Sequence, residues 1–240
     1  MLLATPAALA ALFLIPSFVY RGAGVHGLQV KLQRHRVPAN GKQVLHDTGI
    51  QRRSETFQTF DFMDVIYSAD FTIGQQSFRF VLDTGSSDLW LNHTGFASTD
   101  PSLGFNFGSL RTNVTLPYGI GVVAGAAVFA PLTLGDYTIP SQVLVDVHQS
   151  KNMSLIFDNG MSGLMGLSFS GPGASGIQHT LTAADSSLEF SSQTVLSNVF
   201  ASDPSGRSFI AFDLGRDLPD GTPGDSTFSI NEVPNAYLEA

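Results

Sequence analysis

The chain has 240 residues, of which 43% are hydrophobic and 13% charged, with 24 glycines, 19 phenylalanines and no cysteine. Such a balance is too apolar for a disordered chain, rules out a disulfide scaffold, and is long enough to bury a core rich in strands and turns. The formal net charge is −8, and the acidic body lacks the basic stripe that neutralises phosphates, so nucleic acid is excluded as a partner.

Leu2 to Tyr20 carry no charge and run through an Ala/Leu-rich stretch. Its length suits the apolar part of a signal peptide and is marginal for a membrane span. Pro6 and Pro16 sit awkwardly in a spanning helix, and Gly22, Ala23 and Gly24 supply small residues for a peptidase. Residues 1–24 are therefore read as a signal peptide, with a membrane partner only if the segment stays uncleaved. The missing positive charge before Leu2 counts against this reading.

Arg21 to Arg53 hold seven lysines and arginines against the single acid Asp47, whereas the rest of the chain holds five bases and nineteen acids. A cationic leader beside an anionic body suits an intramolecular lid, because opposite charges attract within a Debye length of about 8–10 Å. A disordered basic arm fits the same composition.

After Arg53 short apolar or alternating runs are separated by Gly, Pro, Asn and Asp, which predicts strands and tight turns. Strands are predicted at Val65 to Thr72, Ser77 to Leu82, Gly121 to Phe129 and Gln142 to Val147. Ser168 to Ser187, rich in Gly, Ser, Ala and Thr, is predicted to be a loop or a connection between lobes. A helix is predicted from Ser191 to Phe200, capped by Ser191 or Ser192, with Val195, Leu196, Val199 and Phe200 at helical spacing. Ser208 to Phe212 and Phe228 to Val233 read as strands on either side of a loop at Arg216 to Gly224.

The most informative window is Phe80-Val81-Leu82-Asp83-Thr84-Gly85-Ser86-Ser87-Asp88-Leu89-Trp90. Three apolar residues deliver Asp83 to the end of a buried strand, Gly85 lets backbone amides turn toward the carboxylate, and hydroxyls follow at Thr84, Ser86 and Ser87. A carboxylate placed there needs donors, since an unpaired buried charge is too costly to keep. The bland reading is an ordinary Asp-Thr-Gly turn. Asp47-Thr48-Gly49 has the same triplet but lacks the strand and the hydroxyls, and reads as a turn in the leader.

With its surroundings, the Asp83 window resembles the pepsin family of aspartic proteases. Asp70-Phe71-Thr72-Ile73-Gly74 and Phe78-Arg79-Phe80 resemble the family's hairpin into the active-site strand, and Tyr118-Gly119-Ile120-Gly121 resembles the flap that closes over bound peptide. Ser162-Gly163-Leu164-Met165-Gly166-Leu167 resembles the segment that crosses near the first aspartate, and the stretch from Phe209 to Val233 resembles the opening of the second lobe. Ser162, Ile120 and Pro117 depart from the family's usual residues.

The resemblance implies a mostly β, pepsin-like fold. Residues 25–60 would form a basic prosegment, 61–185 the N-terminal lobe with catalytic aspartate and flap, and 186–240 an incomplete start of the C-terminal lobe. It implies an aspartic endopeptidase acting on polypeptide, with Asp83 catalytic, Thr84, Gly85, Ser86 and Trp90 supporting it, and Tyr118, Gly119 and Gly121 in the flap. In the family the flap tyrosine bonds to the tryptophan, here Trp90. No metal or organic cofactor is implied.

Two aspartates share one proton in that chemistry, one acting as base on a water and the other as acid. No second hydrophobic-hydrophobic-Asp-Thr/Ser-Gly follows Gly166, so the chain is expected to stop short of the second motif. A homodimer supplying two copies of Asp83 is one way to complete the pair, and a non-catalytic peptide- or protein-binding module is the competing reading. The resemblance also implies that the prosegment crosses the cleft, with Lys31 or Lys42 against the catalytic carboxylate. Sequons at Asn92, Asn113 and Asn152 mark glycosylation sites and, with the signal, a secreted, extracellular or vacuolar protein.

Overall fold

The computed structural model describes residues 20–21, 28–36, 65–92, 112–168, 174–202, 208–216, 224–233 and 237. Most of the expected signal peptide, and the prosegment beyond Arg36 with Lys42 and Asp47, lie outside the described residues.

The fold is mostly strand. Three short strands, β1 (Tyr20–Arg21), β2 (Leu28–Lys31) and β3 (Gln33–Arg36), come before the hairpin of β4 (Val65–Ile73) and β5 (Gln76–Asp83). Phe71, Ile73, Phe78 and Phe80 are buried while Thr72, Ser77 and Arg79 are less so, the alternation that period-two geometry requires of strands with one face on a core. β6 (Leu89–Leu91), β7 (Asn113–Pro117), β8 (Val122–Leu134) and β9 (Tyr137–Lys151) follow, then α1 (Ser154–Phe157) and β10 (Gly163–Gly166).

The main sheet runs β1-β9-β6-β10-β5-β4-β8-β7, and β8 also pairs with β9, so six of the described strands close a circuit. β10 lies between β5, to which it is parallel, and β6, to which it is antiparallel. This brings Gly166 level with Asp83 and Leu164 level with Trp90. β8 and β9 extend well beyond the predicted strands because the prolines and glycine that read as breakers sit at irregularities. The β8–β9 register shifts at Ala124/Gly125 and between Ala130 and Leu132, on either side of Pro131, while Pro140 is exposed.

Two of the expected helix and loop boundaries are corrected. The stretch read as a connecting loop contains α2 (Gly176–Ala184), whose Ile177 and Leu181 are buried one turn apart. The expected helix begins later, as α3 (Val195–Ala201), and Thr194 rather than Ser191 or Ser192 accepts from Ser197 N–H as its cap. Val195, Leu196 and Val199 enter the same core as Phe71, Phe80 and Leu144.

A second sheet, β11 (Ile210–Asp213), β12 (Thr227–Ile230) and β2, joins residues from both ends of the described chain. Phe228, Ile230 and Leu28 bury one face of it in the main core. The pairing of β2 with β12 also sets the place of Lys31, which is level with Thr227 and has its Nζ 2.6 Å from Asp225 Oδ1. Lys31 is thus paired on the exposed rim of the small sheet, in place of the expected contact with the catalytic carboxylate.

Candidate active site

Asp83 ends β5, and Gly85 N–H donates to its Oδ1 at 2.9 Å while Ser86 Oγ–H donates to Oδ2 at 2.7 Å. Each carboxylate oxygen therefore has a donor, and charge-assisted bonds of this kind contribute about 1.5–3 kcal/mol each relative to an unpaired group. The carboxylate is half-buried, Thr84 is exposed, and Ser87 is buried.

The loop after Asp83 is held from behind by β10 and the residues that follow it. Leu167 N–H donates to Asp83 O at 2.7 Å, Ser168 N–H to Ser86 O at 2.8 Å, and Gly166 N–H to Asp88 O at 2.9 Å. Such close approach requires a glycine at position 166, where a Cβ would stand 2.5 Å from Asp88 N and 2.6 Å from Ser87 C. The segment that resembles the family's crossing strand is thus brought directly behind the aspartate.

β7 and β8 form a hairpin whose turn is Tyr118-Gly119-Ile120-Gly121, closed by Tyr118 N–H to Gly121 O at 2.7 Å and by Gly121 N–H to Tyr118 O at 3.2 Å. Pro117 ends β7, the edge strand of the sheet, where its missing N–H leaves few partners unpaired. Gly119 and Ile120 are exposed at the tip, while a Cβ on Gly121 would fall onto the Lys151 carbonyl oxygen. The Asp83 loop, Leu116 to Gly119 and the start of α2 line one open cleft of about 420 Å³.

Trp90 is fully buried, with its ring centroid 6.3 Å from that of Tyr118 at an interplanar angle of 57°, and 6.0 Å from Phe157 in an edge-on arrangement. The pair expected from the resemblance does meet, but through its rings. Among the described residues, Trp90 Nε1 and Tyr118 Oη are both buried without a hydrogen bond of good geometry. The Tyr118 phenol is pushed above its ordinary range, by burial first and by the Asp88 carboxylate second. Asp83 adds to the rise, while the nearby Trp90 N–H and Ser86 hydroxyl oppose it.

Asp88 is the residue that sequence reasoning passed over. It is 7% exposed, and its carboxylate accepts from Ser175 Oγ–H at 2.6 Å and from the N–H groups of Gly176 at 2.9 Å and Ile177 at 3.2 Å. These amides are the free donors of the first turn of α2, and a carboxylate suits that helix end. An acid directly before the buried Leu89-Trp90 pair was the available signal, since it demands donors; their location could not be read from sequence spacing.

Of the three sequon asparagines, Asn113 is exposed at the start of β7, and Asn152 is exposed with φ 60° after β9. Asn92 is half-buried, with its N–H on Ser162 O at 2.8 Å, and the rest of its sequon lies outside the described residues.

Comparison with known sequences points the same way as the geometry. The sequence model of one family, described as eukaryotic aspartyl protease, matches residues 66–207. Similar proteins include vacuolar protease A of Neurospora crassa, 28% identical over 193 residues, covering 65% of this chain and 48% of that one. Mucorpepsin of Rhizomucor miehei is 30% identical over 129 residues, 46% of this chain and 29% of that one. Pepsin A of Gallus gallus is 26% identical over 166 residues, 63% and 43% of the two. The chain spans about half the length of the first of these relatives and less of the others.

Proposed function

This chain belongs to the eukaryotic aspartyl protease family, and from that premise we propose that it carries the first half of the catalytic site of an aspartic endopeptidase, with Asp83 as the catalytic acid. The observation that carries the reading is the Asp83 carboxylate itself, held by one donor on each oxygen and lining a cleft beneath a Tyr-Gly-Ile-Gly hairpin.

The substrate is polypeptide. Asp83 and a second carboxylate share a proton across the scissile bond; one takes a proton from water as it attacks the carbonyl carbon, and the other protonates the carbonyl oxygen. Ser86 and Gly85 keep Asp83 oriented, Trp90 backs the hairpin, and Tyr118, Gly119 and Gly121 form a flap over the peptide. The second carboxylate comes either from a second Asp motif outside the 66–207 match or from Asp83 of a second copy of the chain. The basic leader is the prosegment, residues 1–24 direct the chain into the secretory route, and Asn92, Asn113 and Asn152 are glycan acceptors; destinations outside the cell or in the vacuole both follow from that route.

The test is cleavage of an unfolded protein substrate by the purified chain between about pH 3 and 6, the range in which a carboxylate pair holds one proton. Cleavage that disappears in Asp83→Ala and is blocked by a peptide-like aspartic-protease inhibitor supports the reading. A soluble, folded chain whose peptide binding is indifferent both to Asp83→Ala and to the inhibitor overturns the catalytic assignment in favour of a binding module.

A further inference from the structure

The hairpin of β7 and β8 has one paired side and one open side. β7 lies on β8 in regular register, with Asn113 level with Ala126, Thr115 with Ala124 and Pro117 with Val122. Among the described residues no strand pairs with the other side of β7. Tyr118 and Gly121 exchange both backbone hydrogen bonds at the turn, and at the far end Thr112 O accepts from Ala127 N–H at 2.9 Å. Hydrogen-bonded and non-hydrogen-bonded pairs alternate along an antiparallel ladder, so Val114 and Leu116 turn their backbone groups to β8. Those of Asn113, Thr115 and Pro117 face the open edge.

The side chains divide in the same way. Val114 and Leu116 are buried with Trp90, Ile177 and Leu181, whereas Asn113, Thr115 and Pro117 are exposed. The strand carries no charged residue, so it lacks the lysine that commonly keeps such a row of donors and acceptors from pairing with another chain. Pro117 removes one outward donor. The two residues that still offer an outward N–H, Asn113 and Thr115, are the acceptor and the hydroxyl of an Asn-x-Thr sequon.

We propose that an N-glycan on Asn113 guards this edge, and that without it β7 pairs antiparallel with β7 of a second copy of the chain. The edge is self-complementary about Thr115. A twofold axis there lets the two Thr115 residues exchange N–H and C=O bonds, and sets Asn113 N–H of each copy against Pro117 C=O of the other. A glycan on Asn113 is a bulky, hydrated group at one end of the edge and takes the room of the second copy's strand. It stands about 13 Å along the strand from Pro117, so the end of β7 that lines the cleft stays clear. The inference rests on Asn113 being a glycan acceptor, as proposed above, and not on the catalytic assignment of Asp83.

The full chain, secreted from a glycosylating host, tests the guard through mass spectrometry of the Asn113 peptide, sedimentation velocity and residue-resolved hydrogen exchange. The wild type is expected to carry the glycan and to exchange amides 113 and 115 fast beside slow amides 114 and 116. Thr115→Val loses the sequon but keeps a good strand residue; it should self-associate as concentration rises and slow amides 113 and 115 by about tenfold or more. Thr115→Lys also loses the glycan but puts a charge on the edge, and should behave as the wild type does. Ser154→Ala, which removes the sequon at Asn152, should change neither association nor the exchange of β7. An unoccupied Asn113, or amides 113 and 115 that stay fast in Thr115→Val, overturns the proposal. Equal association in Thr115→Lys or Ser154→Ala overturns it too, because the edge is then not its cause. If Thr115→Val fails to fold, Asn113→Gln, which removes the acceptor at the same exposed edge, decides by the same exchange. An unoccupied Asn113 ends the guard and the acceptor assignment together, whereas an occupied one whose loss changes nothing ends the guard alone. Cleavage is not a readout, so the protease reading stands or falls separately.

Discussion

The Asp88 carboxylate and the Ser175 hydroxyl meet at 2.6 Å across 87 residues of chain, and the same carboxylate takes the first two amides of α2. Asp88→Ala leaves these donors facing an apolar side chain and is expected to destabilise the fold by about 3 kcal/mol, the range for breaking a buried charged network. Asp88→Asn keeps one acceptor oxygen and should cost clearly less. Urea unfolding with an unchanged m-value measures both.

Gly166 separates a backbone role from a packing role. Gly166→Ala drives a methyl group against the backbone of residues 86–88, where no side chain can move aside. A loss of about 2–3 kcal/mol is expected, as for overpacking of a rigid site. Because those residues carry the Asp83 loop, the variant should also lower affinity for a peptide-like inhibitor, measured by calorimetry under conditions where the fold persists.

Among the described residues, the buried Tyr118 hydroxyl has no hydrogen bond of good geometry, although the Trp90 N–H and Ser86 hydroxyl lie near it. Tyr118→Phe removes that polar atom while keeping the ring against Trp90, so stability should stay within about 0.5 kcal/mol of wild type or rise. The same burial keeps the phenol protonated above its ordinary pKa of 10.0. The folded state therefore holds a proton that the unfolded state releases, and the stability tied to Tyr118 is complete below pH 10 and lost as pH rises beyond it. Alkaline denaturation compared between wild type and Tyr118→Phe should show a shallower loss in the variant.

Phe228 anchors the small sheet in the main core at 0% exposure and packs on Phe212 with ring centroids 5.0 Å apart. Phe228→Ala is expected to cost about 3–5 kcal/mol. It should also loosen β2, which pairs with the same strand, so limited proteolysis ought to reach residues 28–31 first.

The local part of this structure was legible in the sequence and the long-range part was not. Asp83, Gly85 and Ser86 lie within four residues, and their hydrogen bonds follow from a strand that ends in a tight turn. Residue types also marked β4, β5 and the Tyr118 turn, because alternation and glycine carry that information directly. The partners of Asp88 and Lys31 could not be found this way, since each is set by strand pairing between distant segments. α2 was lost because Thr, Gly and Ser read as loop formers, whereas the helix is secured by Asp88 and Ser175 at its start and by Ile177 and Leu181 on its buried side. The resemblance placed Gly166 near Asp83, but the steric reason for a glycine there needed coordinates.

The position of β10 between β5 and β6 bears on how the molecule is made. The Asp83 and Ser86 carbonyls find their partners on Leu167 and Ser168, which leave the ribosome only after the whole β8–β9 hairpin. Until then the aspartate loop has its own short-range bonds and a gap behind it. The closure joins ends separated by a long loop, which makes it a late and slow event in folding. A chain arrested on the ribosome before β10 emerges would carry every residue of the Asp83 motif and still lack the backing that fixes its shape.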